Sequence, residues 1–118
     1  MTAPNASPLA FLWVSPEFDQ LEILLARGWT FDPGFDDRGE LERVKGIFIW
    51  RTDGVVDAVR IKGRGDAAAM RCNRAGELLW EREGTTADVL GDLLELPPPS
   101  DPRAPRLVRA VAPQLWTP

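Results

Sequence analysis

The chain contains no histidine, no tyrosine and a single cysteine, and these absences exclude whole classes of chemistry. Without histidine it cannot build a Ser-His-Asp or Cys-His nucleophilic site, a histidine general base or a histidine metal site. Cys72 has no second cysteine with which to form an internal disulfide. The apolar runs are only a few residues long, far short of the roughly 20 needed to span a bilayer. The N-terminus lacks a basic start followed by an apolar stretch of signal-peptide length. These features predict a cytoplasmic protein with no membrane segment.

What is present is a chain of 118 residues, 44% of them apolar, which suffices for one domain with its own core. The net charge of -4 hides a segregation along the sequence. Residues 1–42 carry eight acids and two bases, 43–74 three acids and eight bases, and 75–118 seven acids and four bases. An acidic chain with a basic middle is expected to meet anions through a local surface and not through its overall charge.

Residues 1–8 (MTAPNASP) read as a disordered N-terminus and 9–96 as a single domain. The apolar run 9–14 (LAFLWV) reads as a buried strand. A helix over 16–27 follows, with Ser15 as N-cap, Phe18, Leu21, Leu24 and Leu25 on one face, and Gly28 as the stop. Residues 29–35 read as an aromatic turn around Asp32-Pro33-Gly34, and 36–43 as a polar connection. Turn signals at Asp53-Gly54, Arg64-Gly65 and Asn73-Arg74-Ala75-Gly76 then separate strands over 46–52, 55–62, 67–72 and 77–83. A second helix starts at Thr85 or Thr86, where Thr85-x-x-Asp88 forms a capping box, and Pro97 ends it. Gly91 inside that helix implies close packing against the sheet. Residues 97–118 read as a proline-rich linker and an amphipathic C-terminal tail ending near Trp116. The predicted fold is α+β: an antiparallel four- to five-stranded β-meander packed on one face by two α-helices.

Two-residue turns at Asp53-Gly54 and Arg64-Gly65, with the Asn73–Gly76 turn, set a register. One face then collects Phe48, Trp50, Val59, Ile61, Met70, Cys72, Leu78 and Trp80 as the core. The other collects Ile47, Ile49, Val56, Ala58, Ala67, Ala69 and Leu79 beneath Arg51, Arg60, Lys62 and Arg71. Alanines let those cations lie flat and pool their charge over the strands. This face is predicted to meet an anionic partner, unless the helix bearing Glu17, Asp19 and Glu22, or the tail, covers and neutralises it.

Other chemistry is thin. Cys72 on the core face reads as a small buried hydrophobe and not as a thiolate. The acids Asp32, Asp36, Asp37, Glu40 and Glu42 lack the EF-hand pattern. The turn Lys62-Gly63-Arg64-Gly65-Asp66 lacks the P-loop spacing and opens no helix. A basic sheet whose aromatics lie on the opposite face disfavours nucleic acid. No catalytic residue, metal or cofactor is nominated. The candidate binding residues are Arg51, Arg60, Lys62, Arg71 and Trp116. They predict a non-enzymatic protein-binding module, such as an adaptor, chaperone or immunity-type inhibitor, with pairing of two copies through a sheet edge as a further possibility. The alternatives are a small anionic-ligand sensor and, third, a carboxylate- or metal-dependent enzyme built on residues 32–42.

Overall fold

The computed structural model describes residues 8–111. A 3-10 turn, Ala10–Trp13, precedes helix α1, Glu17–Ala26. Five strands follow without interruption: β1 Thr30–Phe35, β2 Leu41–Trp50, β3 Val55–Gly63, β4 Asp66–Cys72 and β5 Glu77–Gly84. Helix α2, Thr86–Glu95, and a two-residue strand β6, Ala110–Val111, complete the order. The sheet is antiparallel with strand order β1-β2-β3-β4-β5-β6, and both helices lie on its inner face. The fold is α+β, as the sequence predicts.

Local signals act as expected at several points. The Thr85 hydroxyl accepts from Asp88 N at 3.2 Å and caps α2. Gly28 N and Trp29 N bond back to Leu25 O and Leu24 O, a Schellman closure that the left-handed Gly28 permits. The Asn73–Gly76 turn closes through Gly76 N to Asn73 O at 2.9 Å, with Gly76 at φ +79°, while the Asn73 side chain accepts from Ala75 N and Glu77 N.

Elsewhere the structure corrects the sequence reading. Residues 9–14 form no strand; Leu9 and Leu12 share the i, i+3 spacing of a 3-10 turn and are buried, while Trp13 and Val14 are exposed. An apolar run of that length fits either state, and packing decides. No Ser15 cap forms, since the Ser15 hydroxyl donates to Asp19 Oδ2 instead. The segment read as an aromatic turn is β1, and β2 begins at Leu41 within the supposed polar connection. Pro33 fits there because β1 is an edge strand, where a missing N–H need not interrupt a ladder. Phe31 lies against Gly46 so closely that a β-carbon there would come within 2.5 Å of its ring. Gly91 faces Gln20 of α1 and not the sheet.

The register differs in two ways. A type I′ turn needs positive φ at both central residues, yet no described non-glycine residue has one. The chain instead closes a four-residue loop, 51–54, with Asp53 N and Gly54 N both donating to Trp50 O. Trp50 then pairs with Val55 and Phe48 with Asp57, a two-residue offset that keeps the faces. Between β3 and β4, Gly63 pairs with Asp66 but Ile61 with Ala67, so Lys62 is an extra residue and β4 is turned over. Ala67, Ala69 and Arg71 therefore face inward, and Met70 and Cys72 outward. A second irregularity at Leu79 pairs Cys72 with Leu78 but Arg71 with Trp80.

The sheet thus carries two apolar clusters. The inner core gathers Leu9, Leu24, Trp29, Val59, Ile61, Val89 and Leu90 with the small Ala67 and Ala69 beneath α2. The outer cluster is Ala58, Met70, Cys72 and Leu78, with Val56 against it. Each ten-residue helix is about 15 Å long, whereas the ten residues of β2 extend about 33 Å. Part of the inner face is therefore left uncovered by helix. After α2 the chain stays on the domain: Ala104 is buried and Arg109 N donates to Leu78 O at 2.7 Å. No described helix is long and apolar enough to cross a membrane.

Candidate functional site

Alternation along β2 and β3 places cations on the outer face at one end of the sheet. Lys45 stands directly opposite Arg60, and Arg43 and Lys62 flank that pair. The four side chains and Glu42 line a cleft of about 380 Å³. Arg43 lies across β1, where a β-carbon on Gly34 would sit 2.6 Å from its guanidinium carbon. The missing side chain at Gly34 thus provides the shelf on which Arg43 rests. Glu42 is paired with Arg43 at 3.3 Å and is the single acid in the wall among the described residues. Asp32 is the register partner of Lys45 on β1.

Of the residues nominated from sequence, Arg60 and Lys62 meet in this cleft. Arg51 does not join them; it is exposed in the 51–54 loop. Trp116 lies outside the described residues. Arg71 is the clear correction: the extra residue at Lys62 turns it to the inner face, where it is fully buried. There Arg71 Nε and Nη2 donate to the two Asp57 oxygens at 2.6 and 2.9 Å, and Nη1 donates to Pro97 O at 2.7 Å. Trp50 Nε1 also donates to Asp57 Oδ2 at 2.9 Å, and the guanidinium sits 5.7 Å from the Trp50 ring centroid. This is a satisfied buried ion pair that ties the chain after α2 to the sheet, not an anion receptor.

Arg43 and Lys45 fall outside the strand predicted from sequence, which starts with the apolar run at Gly46, whereas β2 starts at Leu41. Alternation with Arg60 and Lys62 on the next strand was the signal available to find them. The helix weighed as a neutraliser does not cover the cleft. Glu17 of α1 is buried and accepts from Arg64 Nε and Nη2 at 2.9 and 3.1 Å, at the β3–β4 turn. That hydrogen-bonded guanidinium holds the Glu17 carboxyl below its usual range.

The acid-rich segment is a hairpin loop: Asp36 Oδ1 accepts from Arg38 N and Glu40 N at 2.8 and 3.0 Å. Among the described residues no three acidic or thiol groups are grouped to hold a metal ion. Cys72 is buried, and burial, then the Asp57 charge, push its thiol pKa up, away from nucleophilic thiolate. No family model, no curated protein and no solved structure matches this chain.

Proposed function

We propose that this chain is a non-enzymatic binding module that seats an acidic segment of a partner protein in the outer-face cleft. The reading rests on one observation: Lys45 and Arg60 stand directly opposite on adjacent strands, flanked by Arg43 and Lys62 in one cavity. Four cations against one acid in the wall make a positive field, and an incoming carboxylate gains charge-assisted hydrogen bonds there. A protein partner fits better than nucleic acid, because Phe48, Trp50 and Trp80 lie on the inner face, leaving the cleft without stacking rings. Adaptor, chaperone and immunity-type inhibitor are all roles of this kind. The lone cysteine, buried beside Met70 and Leu78, suits a cytoplasmic setting. Pairing of copies through β1 is a weaker use of the surface, since Pro33 blunts that edge.

Fluorescence anisotropy with labelled peptides rich in Asp and Glu, compared with single-stranded DNA of equal charge, tests this reading. Peptide binding that weakens with salt and disappears in the folded Lys45→Glu, Lys62→Glu variant is the expected result. Preference for DNA would overturn the partner class. Binding of citrate or inorganic phosphate as tight as that of peptide would turn the assignment to a small-anion sensor. Indifference to all probes would remove the cleft from consideration.

A further inference from the structure

The uncovered end of the inner face holds a second cavity, of about 550 Å³, between β2 and the end of α2. Its volume lies in the range of small-molecule sites. One wall is aromatic and continuous: the Trp29 and Phe48 rings are 6.2 Å apart at 28°, and Phe48 meets Trp50 edge-on at 4.8 Å. Asp57 is at the floor, already committed to Arg71 and Trp50, so the floor presents a closed ion pair and not a free carboxylate. That network also fixes the orientation of the Trp50 indole before any ligand arrives.

The rim supplies the polar element. Arg27 at the end of α1 and Arg103 after α2 both line the cavity, with Glu95 the acid on the same rim. Arg27 Nη1 donates to Leu94 O at 3.1 Å, which steadies the guanidinium while leaving its other N–H groups uncommitted to that carbonyl. Arg103 is held by Asp101 at 3.2 Å. An aromatic wall bordered by guanidinium groups is a pattern that receives a ring with an anionic substituent. A cation is the poorer fit, because the Arg71 guanidinium already lies over the Trp50 ring and two further guanidinium groups border the mouth.

We propose that this cavity is a binding site for a small aromatic carboxylate, its ring against Trp29, Phe48 and Trp50 and its carboxylate on Arg27. The site is separate from the outer cleft and does not depend on the reading given to it. The probes are benzoate and indole-3-acetate, with neutral indole and phenyltrimethylammonium as comparisons, titrated into the full chain and followed by tryptophan fluorescence and amide and indole NMR shifts. Saturable shifts at the Trp29 and Trp50 indole N–H and at Leu94 are expected for the carboxylates, with neutral indole about tenfold weaker. In Arg27→Gln the carboxylates lose this advantage and bind no tighter than indole. Arg103→Gln provides a second variant should Arg27→Gln fail to fold, and Arg38→Gln, outside both cavities, leaves binding unchanged. The proposal is overturned by non-saturating shifts, by tighter binding of phenyltrimethylammonium, or by shifts centred on Lys45 and Lys62.

Discussion

The two faces of the sheet treat charge in opposite ways, although β3 supplies both. On the inner face Asp57 and Arg71 are buried, directly opposite, and of opposite sign. On the outer face Lys45 and Arg60 are also directly opposite, but of like sign and only partly buried. The inner pair is closed: both carboxylate oxygens and three guanidinium nitrogens have partners within the fold. The outer pair stands in a cleft at the surface, with Lys62 exposed beside it. Buried charge is tolerated where the chain satisfies it, whereas like charges in register are tolerated at a surface that solvent screens.

The contrast can be broken most forcefully from the inside. Arg71→Ala leaves Asp57 buried without its main partner and is expected to cost about 3–5 kcal/mol in urea unfolding. Lys62→Ala on the outer face is expected to stay within about 0.5 kcal/mol. Asp57→Leu with Arg71→Met, which removes both charges, should lose less than Arg71→Ala alone. An equal loss would show that specific hydrogen bonds, including the one to Pro97 O, matter more than the uncompensated charge.

The start of α2 gives the next largest effect. Thr86 is fully buried; its hydroxyl donates to Gly63 O at 2.8 Å, and its N–H to Arg64 O at 2.8 Å. These bonds tie the start of α2 to the β3–β4 turn beside the extra residue Lys62. Thr86→Val removes the hydroxyl bond and should cost about 1–2 kcal/mol, with faster amide exchange across the β3–β4 turn.

Smaller still, Lys45→Gln removes both its opposition to Arg60 and its pairing with Asp32, so stability should stay within about 0.5 kcal/mol while the binding of acidic peptide weakens. Loss of stability in that variant would mean that Lys45 serves packing and not recognition.

The smallest effect is pH dependence at Glu17. Its carboxyl is held below the ordinary value of 4.5, chiefly by the hydrogen bond from Arg64. A depressed acid stabilises the fold above its unfolded value, and that contribution fades as pH falls through the folded one. Wild type should therefore lose stability below about pH 4.5 more steeply than Glu17→Gln, as read by thermal unfolding across the acid range. Parallel curves would show that the Glu17–Arg64 contact is screened.

Much of the architecture was legible because it rests on neighbours in sequence. The Thr85 cap, the Gly28 stop and the Asn73–Gly76 turn are closed by backbone groups within a few residues, so residue type alone specifies them. The site was half legible. Alternation puts Arg60 and Lys62 on the outer face in sequence and structure alike, Arg43 and Lys45 precede the predicted strand, and Arg71 lies on the opposite face from the one predicted.

By itself, then, the sequence determined the meander, the two helices, the basic middle of the chain and the absence of histidine chemistry. Tertiary structure decided β1, the inward turn of Arg71 and both cavities. The reason is that strand parity flips with a single inserted residue, and the irregularity at Lys62 adjoins a turn held to Thr86 and Glu17, 23 and 47 residues away. The inner-face cavity, likewise, follows from the mismatch between short helices and long strands, which appears only once the two layers are packed together, and the outer cleft from the register of β2 on β3.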